Sequence, residues 1–198
     1  MHAIIMFTLT LYYWFAIVPY SRKIDFASKS KLGSYEVFTL DIMVGFLWYD
    51  LVIELSQTRQ LDTLAHHVIG LITHYSTLST NNHASCYYTM MVYIAEGSTP
   101  WLNICWLCFN IGTLNTLVYK VSSFNLIVMF FLCRVCMATY MFWHINYYAK
   151  DWAWDQKDIG KLFAFNYFVV VFFCLLNYYW FYKLIKMAVG NIYCYYQS

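Results

Sequence analysis

The chain has 198 residues, 62% of them apolar and 11% charged, with a formal net charge of +2. A soluble domain carries about 25% charged residues, and a soluble fold of this size could not hide so much apolar surface from water. Disordered, nucleic-acid-binding and secreted disulfide-scaffold classes are thereby excluded, and the expected class is an all-α, polytopic membrane helix bundle.

A membrane-crossing helix needs about 20 mostly apolar residues, because the hydrocarbon core is about 30 Å thick. Six such stretches follow one another, at roughly 3–19, 36–56, 61–79, 84–103, 122–148 and 160–187. The first starts Met1-His2 and lacks a basic n-region and a small-residue cleavage site, so it reads as a retained helix rather than a signal peptide. It is not an Arg-rich transit sequence either. The longest loops, near 20–34 and 149–159, are too short for a soluble domain, so one integral membrane domain over 1–198 is expected. A seventh apolar run, Trp101 to about Tyr119, follows a break at Ser98-Thr99-Pro100. It reads as an interfacial piece, with a short span as the alternative.

With six spans, Arg22, Lys23, Lys29, Lys31, Lys150, Lys157 and Lys161 share one side, and Arg59, Lys120, Lys183 and Lys186 the other. The excess of basic groups places the 20–34 loop on the cytosolic or matrix face. Trp14, Trp152, Trp154 and Trp180 fall near span ends, where amphipathic rings settle at the interface. Of the seven Cys, most lie in apolar helices, where the thiol behaves as a small hydrophobe, and no disulfide framework is implied.

Ionisable groups inside spans are costly and usually face the bundle interior. They are Asp41, Asp50 and Glu54 in the second stretch, His66, His67 and His74 in the third, Glu96 in the fourth, and Arg134 and His144 in the fifth. Asp62 and His66 are four apart and share a helix face, where carboxylate and imidazole can pair. His67 and His74 are two turns apart, with Gly70 between them to admit a close neighbour, either another backbone or a lipid chain. Glu96 and Arg134 both fall near mid-span, and a direct pair would neutralise two buried charges. Each group taken alone also has a plain reading, as a satisfied polar residue that glues helices together.

Three segments carry a resemblance: Tyr49-Asp50 within Phe46-Leu47-Trp48-Tyr49-Asp50-Leu51, the pair His66-His67, and above all Glu96-Gly97-Ser98-Thr99-Pro100-Trp101-Leu102-Asn103. Together with Phe130-Phe131-Leu132-Cys133-Arg134 they resemble the TLC-domain family, which includes the ceramide synthases, in order and spacing over about 35–190. The chain looks most similar to the small, uncharacterised TLC-domain membrane proteins. The resemblance implies about six transmembrane helices around a central cavity that binds or handles lipid or acyl chains. It implies His66 and His67 as acid/base or acyl-carrying groups, with Asp50, His66, His67, Gly70, His74, Glu96 and Arg134 lining the cavity. Imidazole suits such work, since it can take a proton from an attacking amine or hold an acyl group. The chain departs from the synthases after the His pair. Ser76-Thr77-Leu78-Ser79-Thr80-Asn81-Asn82-His83-Ala84 lacks the His-Asp segment and further Asp found there. Whether acyl transfer of the ceramide-synthase type occurs therefore stays open. Acyl-CoA enters only as the donor of such a reaction, and no other cofactor is expected.

Other constellations are weaker. Cys105-x-x-Cys108 and Cys133-x-x-Cys136 have the half-site spacing of a four-thiolate zinc site, but such pairs arise by chance in a Cys-rich bundle, and no metal is expected. With six His in all, the histidine boxes of a di-iron hydroxylase are missing, as is a His-Glu-x-x-His motif. Asp50, Glu54, His66, His74 and Glu96 could form a proton relay, though no inverted repeat supports transport. The main expectation is a lipid-handling membrane protein of the endoplasmic reticulum or the mitochondrial inner membrane. The alternative is a non-catalytic accessory subunit of a larger membrane complex, such as a mitochondrial respiratory assembly. A chain stripped to spans and short loops suits that role, and its partners would be other subunits and membrane lipids, with no nucleic acid.

Overall fold

The computed structural model describes residues 2–18, 32–57, 61–81, 83–149 and 160–197, which form six helical rods and, among the described residues, no strand. α1 (His2–Tyr12) runs on into a π-helical turn, Tyr13–Ile17. α2 (Ser34–Gln57) and α3 (Leu61–Thr80) follow. The fourth rod is composite, with α4 (His83–Tyr93), a 3-10 stretch Ile94–Ser98 and α5 (Thr99–Ile111). The fifth joins α6 (Leu117–Phe130), a π-helical stretch Phe131–Cys136, α7 (Met137–His144) and a second π-helical stretch, Ile145–Ala149. The sixth is α8 (Gly160–Gln197). The six expected stretches fall on these rods in order. Of the basic groups that set the expected orientation, Arg22, Lys23, Lys29, Lys31, Arg59, Lys150 and Lys157 lie outside the described residues, as do Trp152 and Trp154.

Residues 101–119 form most of α5, a turn and the start of α6. Thr99–Ile111 continues the fourth rod, turns, and packs against α6. Pro100 sits in the first turn of α5, where its missing N–H costs least. A proline there cannot donate back into the preceding turn, which accounts for the tighter 3-10 winding of Ile94–Ser98. The turn after α5 is made by Gly112 at φ 78°, whose left-handed conformation lets its N–H and that of Thr113 cap the last carbonyls, Phe109 at 3.2 Å and Cys108 at 2.9 Å. Thr116 then caps α6, its hydroxyl accepting from the Tyr119 N–H at 3.3 Å.

The bundle is strongly apolar outside, and its largely apolar interior also holds small polar side chains. Phe15, Trp106, Phe109, Leu117, Phe124 and Leu175 stand exposed, whereas Thr10, Thr39, Thr77, Thr89, Ser98 and Asn177 are buried. Each of the four threonines donates its hydroxyl to the carbonyl four residues back, at 2.8–2.9 Å, so it is buried without an unmet donor. Water would reverse this arrangement, and a lipid surround favours it. Leu117–Tyr147 and Ala164–Val189 are long and apolar enough to cross a membrane, and His2–Ile17 is apolar but shorter.

α1 lies along the fourth rod, and α2 along α3. Gly97 makes the first contact feasible. A Cβ there would meet Phe7 Cε2 at 2.8 Å and Cys133 Sγ at 3.0 Å, so α1, the 3-10 stretch and the π-helical stretch close together only around a glycine.

Candidate functional site

The two irregular stretches at mid-bundle, Ile94–Ser98 and Phe131–Cys136, pack on each other. Breaks in regular winding re-aim side chains, and such breaks concentrate at functional sites. Here they bring Arg134 against the Ser98–Thr99 segment. The Arg134 Nε donates to Ser98 Oγ at 2.8 Å, and a terminal nitrogen donates to Thr99 Oγ1 at 3.2 Å. Its guanidinium lies over the Phe130 ring at 5.1 Å and the Trp180 ring at 6.0 Å, and the residue is buried. Glu96 is within electrostatic reach of this cation. The direct ion pair expected from the sequence is not formed; the guanidinium donates to the two hydroxyls instead. Glu96 Oε2 is buried without a hydrogen-bond partner.

α3 supplies the imidazoles. His66 and His67 sit edge to face, with ring centroids 5.4 Å apart, and His66 also meets Trp180 at 5.4 Å. His66 feels the charge of Arg134, and His67 that of Asp50, Glu54 and Glu96. His67 Nδ1 is buried and has no hydrogen-bond partner. The adjacent histidines thus face different neighbours, as two residues about 100° apart on a helix must. Asp50, on α2, has its carboxylate 4.0 Å from His2 Nε2, a partner the sequence reading overlooked. The His2 ring in turn lies tilted against Phe46, with centroids 4.3 Å apart.

The expected pairing of Asp62 with His66 is replaced. Asp62 Oδ2 accepts from Trp180 Nε1 at 3.0 Å and lies 3.6 Å from Lys183 Nζ, so it ties α3 to α8. Gly70 faces the Leu47 side chain, 3.3 Å from where its Cβ would stand, which makes it a packing glycine at the α2–α3 contact. Its carbonyl accepts from His74 Nδ1 at 2.6 Å. His74 is buried and stacked on Tyr93.

The candidate residues Asp50, His66, His67, Glu96 and Arg134 are therefore brought into one charged neighbourhood, with His74 two turns along α3 and Gly70 behind it. Ser98, Thr99, Trp180, Lys183, Tyr93 and His2 complete the neighbourhood. Ser98 and Thr99 were visible in the Ser-Thr-Pro segment, but nothing in the spacing tied them to Arg134. His144 stands apart, beside Tyr88. The four-thiolate arrangement is not formed. Cys105 Sγ lies 3.6 Å from Ser123 Oγ, Cys133 packs at Gly97, and among the described residues no three His, Cys, Asp or Glu side chains are grouped to hold a metal ion. An imidazole with an open nitrogen beside carboxylates can take and return a proton, and a buried guanidinium can fix an oxygen-rich group.

An all-helical bundle with this interior is the architecture of an integral membrane domain, and the family comparison agrees. The family model for the TLC domain matches residues 1–186, and the chain belongs to the TLC-domain family. Among curated proteins it is similar to Protein CLN8 of Rattus norvegicus, 24% identical over 160 residues. That match covers 78% of this chain and 54% of the rat protein, so the chain spans about half the length of its curated relative. No solved structure matches.

Proposed function

We propose that the chain binds and handles a lipid or its acyl chain within the bundle, with the His66–His67, Asp50, Glu96 and Arg134 neighbourhood receiving the polar head. The observation that carries this reading is the convergence of half-buried imidazoles and a carboxylate with a buried guanidinium near the contact of two irregular helical stretches, inside a bundle coated with apolar side chains. Polar groups are this costly in a membrane interior only where they serve structure or a ligand, and His67 Nδ1 and Glu96 Oε2 have no structural partner. In a central cavity Arg134, already steered by Ser98 and Thr99, would hold an oxygen-rich group. His67 would face it with a nitrogen free for proton transfer. Acyl transfer is the reaction such a site would run, with acyl-CoA as donor and His66 and His67 as its catalytic pair. The acid pair of the ceramide synthases has no counterpart after α3, so lipid binding without turnover is the primary reading. The endoplasmic reticulum is the proposed membrane. The chain's short connections favour a second reading, an accessory subunit of a larger complex, with the mitochondrial inner membrane as its place.

Gentle detergent extraction, native gel separation and mass spectrometry of retained lipids and co-migrating proteins test the proposal. A small species that carries one lipid class, and loses it in His67→Ala, is the expected result. Stoichiometric migration with a large complex, and no change of retained lipid in His67→Ala, would sink the lipid-handling reading in favour of the subunit.

A further inference from the structure

Four side chains on α3 and the fourth rod each carry a buried polar atom without a partner: His67 Nδ1, His74 Nε2, Tyr93 Oη and Glu96 Oε2. His74 and Tyr93 have no role in the proposal above. His74 and Tyr93 are stacked, with ring centroids 5.4 Å apart and planes 22° apart. His74 is 4% exposed and Tyr93 0%. His74 Nδ1 lies 2.6 Å from the Gly70 carbonyl oxygen. A carbonyl only accepts, so Nδ1 carries the proton, and the neutral ring presents a lone pair at Nε2. The ring stacked on it belongs to a phenol whose O–H has no acceptor. One atom lacks a donor and its neighbour lacks an acceptor, and buried polar groups do not normally remain in that condition.

We propose that the His74–Tyr93 pair is a subsite for one neutral hydroxyl group, which accepts from the Tyr93 O–H and donates to His74 Nε2. A hydroxyl supplies both functions at a single oxygen. An ionised carboxylate offers His74 no proton, and an ammonium offers the Tyr93 O–H no lone pair. The subsite lies seven residues from His67, about 10 Å along α3 at 1.5 Å per residue. It stands on its own residues and does not depend on turnover at the histidine pair. Two sources carry this chemistry, a trapped water and a lipid alcohol.

Thermal unfolding of the full chain, delipidated in detergent, tests the assignment with wild type and Tyr93→Phe, each with and without 1-hexadecanol. Tyr93→Phe removes only the hydroxyl. If the pair holds a hydroxyl group, the variant melts several degrees lower, because a hydrogen-bonded oxygen has lost its donor. If the pair is dry, the variant melts at the same temperature or higher, because an unmet buried group has been deleted, and the proposal is overturned. The alcohol separates the sources. A rise in midpoint confined to wild type assigns a lipid alcohol. A lower midpoint in Tyr93→Phe, with no alcohol response or an equal one in both proteins, assigns water. The readout is the midpoint, so failure of lipid retention at His67 and failure of this subsite remain distinguishable.

Discussion

Two polar regions of the bundle use the same side chains to opposite effect. At the last residue of α7, His144 is ringed by Tyr87, Tyr88 and Tyr140 at 5.5–5.9 Å, and Tyr88 Oη lies 3.2 Å from its Nδ1. Around it Asn166 donates to Ser85 at 2.8 Å and Tyr167 to Asn146 at 3.2 Å. All of these contacts except Tyr140–His144 join one rod to another, so polar groups there act as helix glue. At mid-bundle His67, Glu96, His74 and Tyr93 each present a buried atom with no partner. An intramembrane histidine is thus uninformative by type. What separates glue from a receptive site is whether the surrounding helices finish its hydrogen bonds.

The steepest test of that contrast is Arg134→Ala. It strips Ser98 and Thr99 of their donor and leaves the Glu96 carboxylate buried without its cation. Removing one partner of a buried charge network costs about 3–5 kcal/mol, read as a loss of thermal stability in detergent. Glu96→Gln should cost much less, since Arg134 keeps both hydroxyls and Glu96 Oε2 gives up no bond. Equal losses from the two variants would restore the direct ion pair and erase the distinction. Next comes Gly97→Ala, whose new methyl would press on Phe7 and Cys133. Overpacking of this kind costs about 1–3 kcal/mol. Gly70→Ala meets only a Leu47 methyl at 3.3 Å, a side-chain end that can turn aside, and should be milder. The same cost at both glycines, measured by the same unfolding assay, would deny the irregular stretches their special closeness.

The helix count was legible because six apolar stretches separated by polar breaks leave few arrangements in a bilayer. The site residues were legible as a list, because charges are rare in this chain and the Glu96–Pro100 segment carries a family resemblance. Their partners were not legible. Asp62 and His66 share a helix face, yet Asp62 goes to Trp180 and Lys183, more than a hundred residues away in sequence. Sequence spacing fixes a face, but only tertiary packing decides what stands opposite it. The Ser-Thr-Pro break was legible, but not what it does to the chain: the winding tightens before it, over Ile94–Ser98, and Pro100 then stands in the first turn of α5, where it does not end the helical rod.

The smallest predicted effect bears most directly on the contrast between the two polar regions. Tyr88→Phe deletes the hydroxyl opposite His144 Nδ1, a partly buried contact. A neutral hydrogen bond of that kind contributes about 1 kcal/mol, so the variant should melt slightly lower. It should also retain the same lipids as wild type in native mass spectrometry, because the bond serves only to hold α4 to α7. His67→Ala should behave the other way round, changing retained lipid with little loss of stability, since its Nδ1 gives up no partner. Should Tyr88→Phe alter the lipid complement as much as His67→Ala does, the polar ring at His144 would belong to the ligand path, and the division between the two regions would fail.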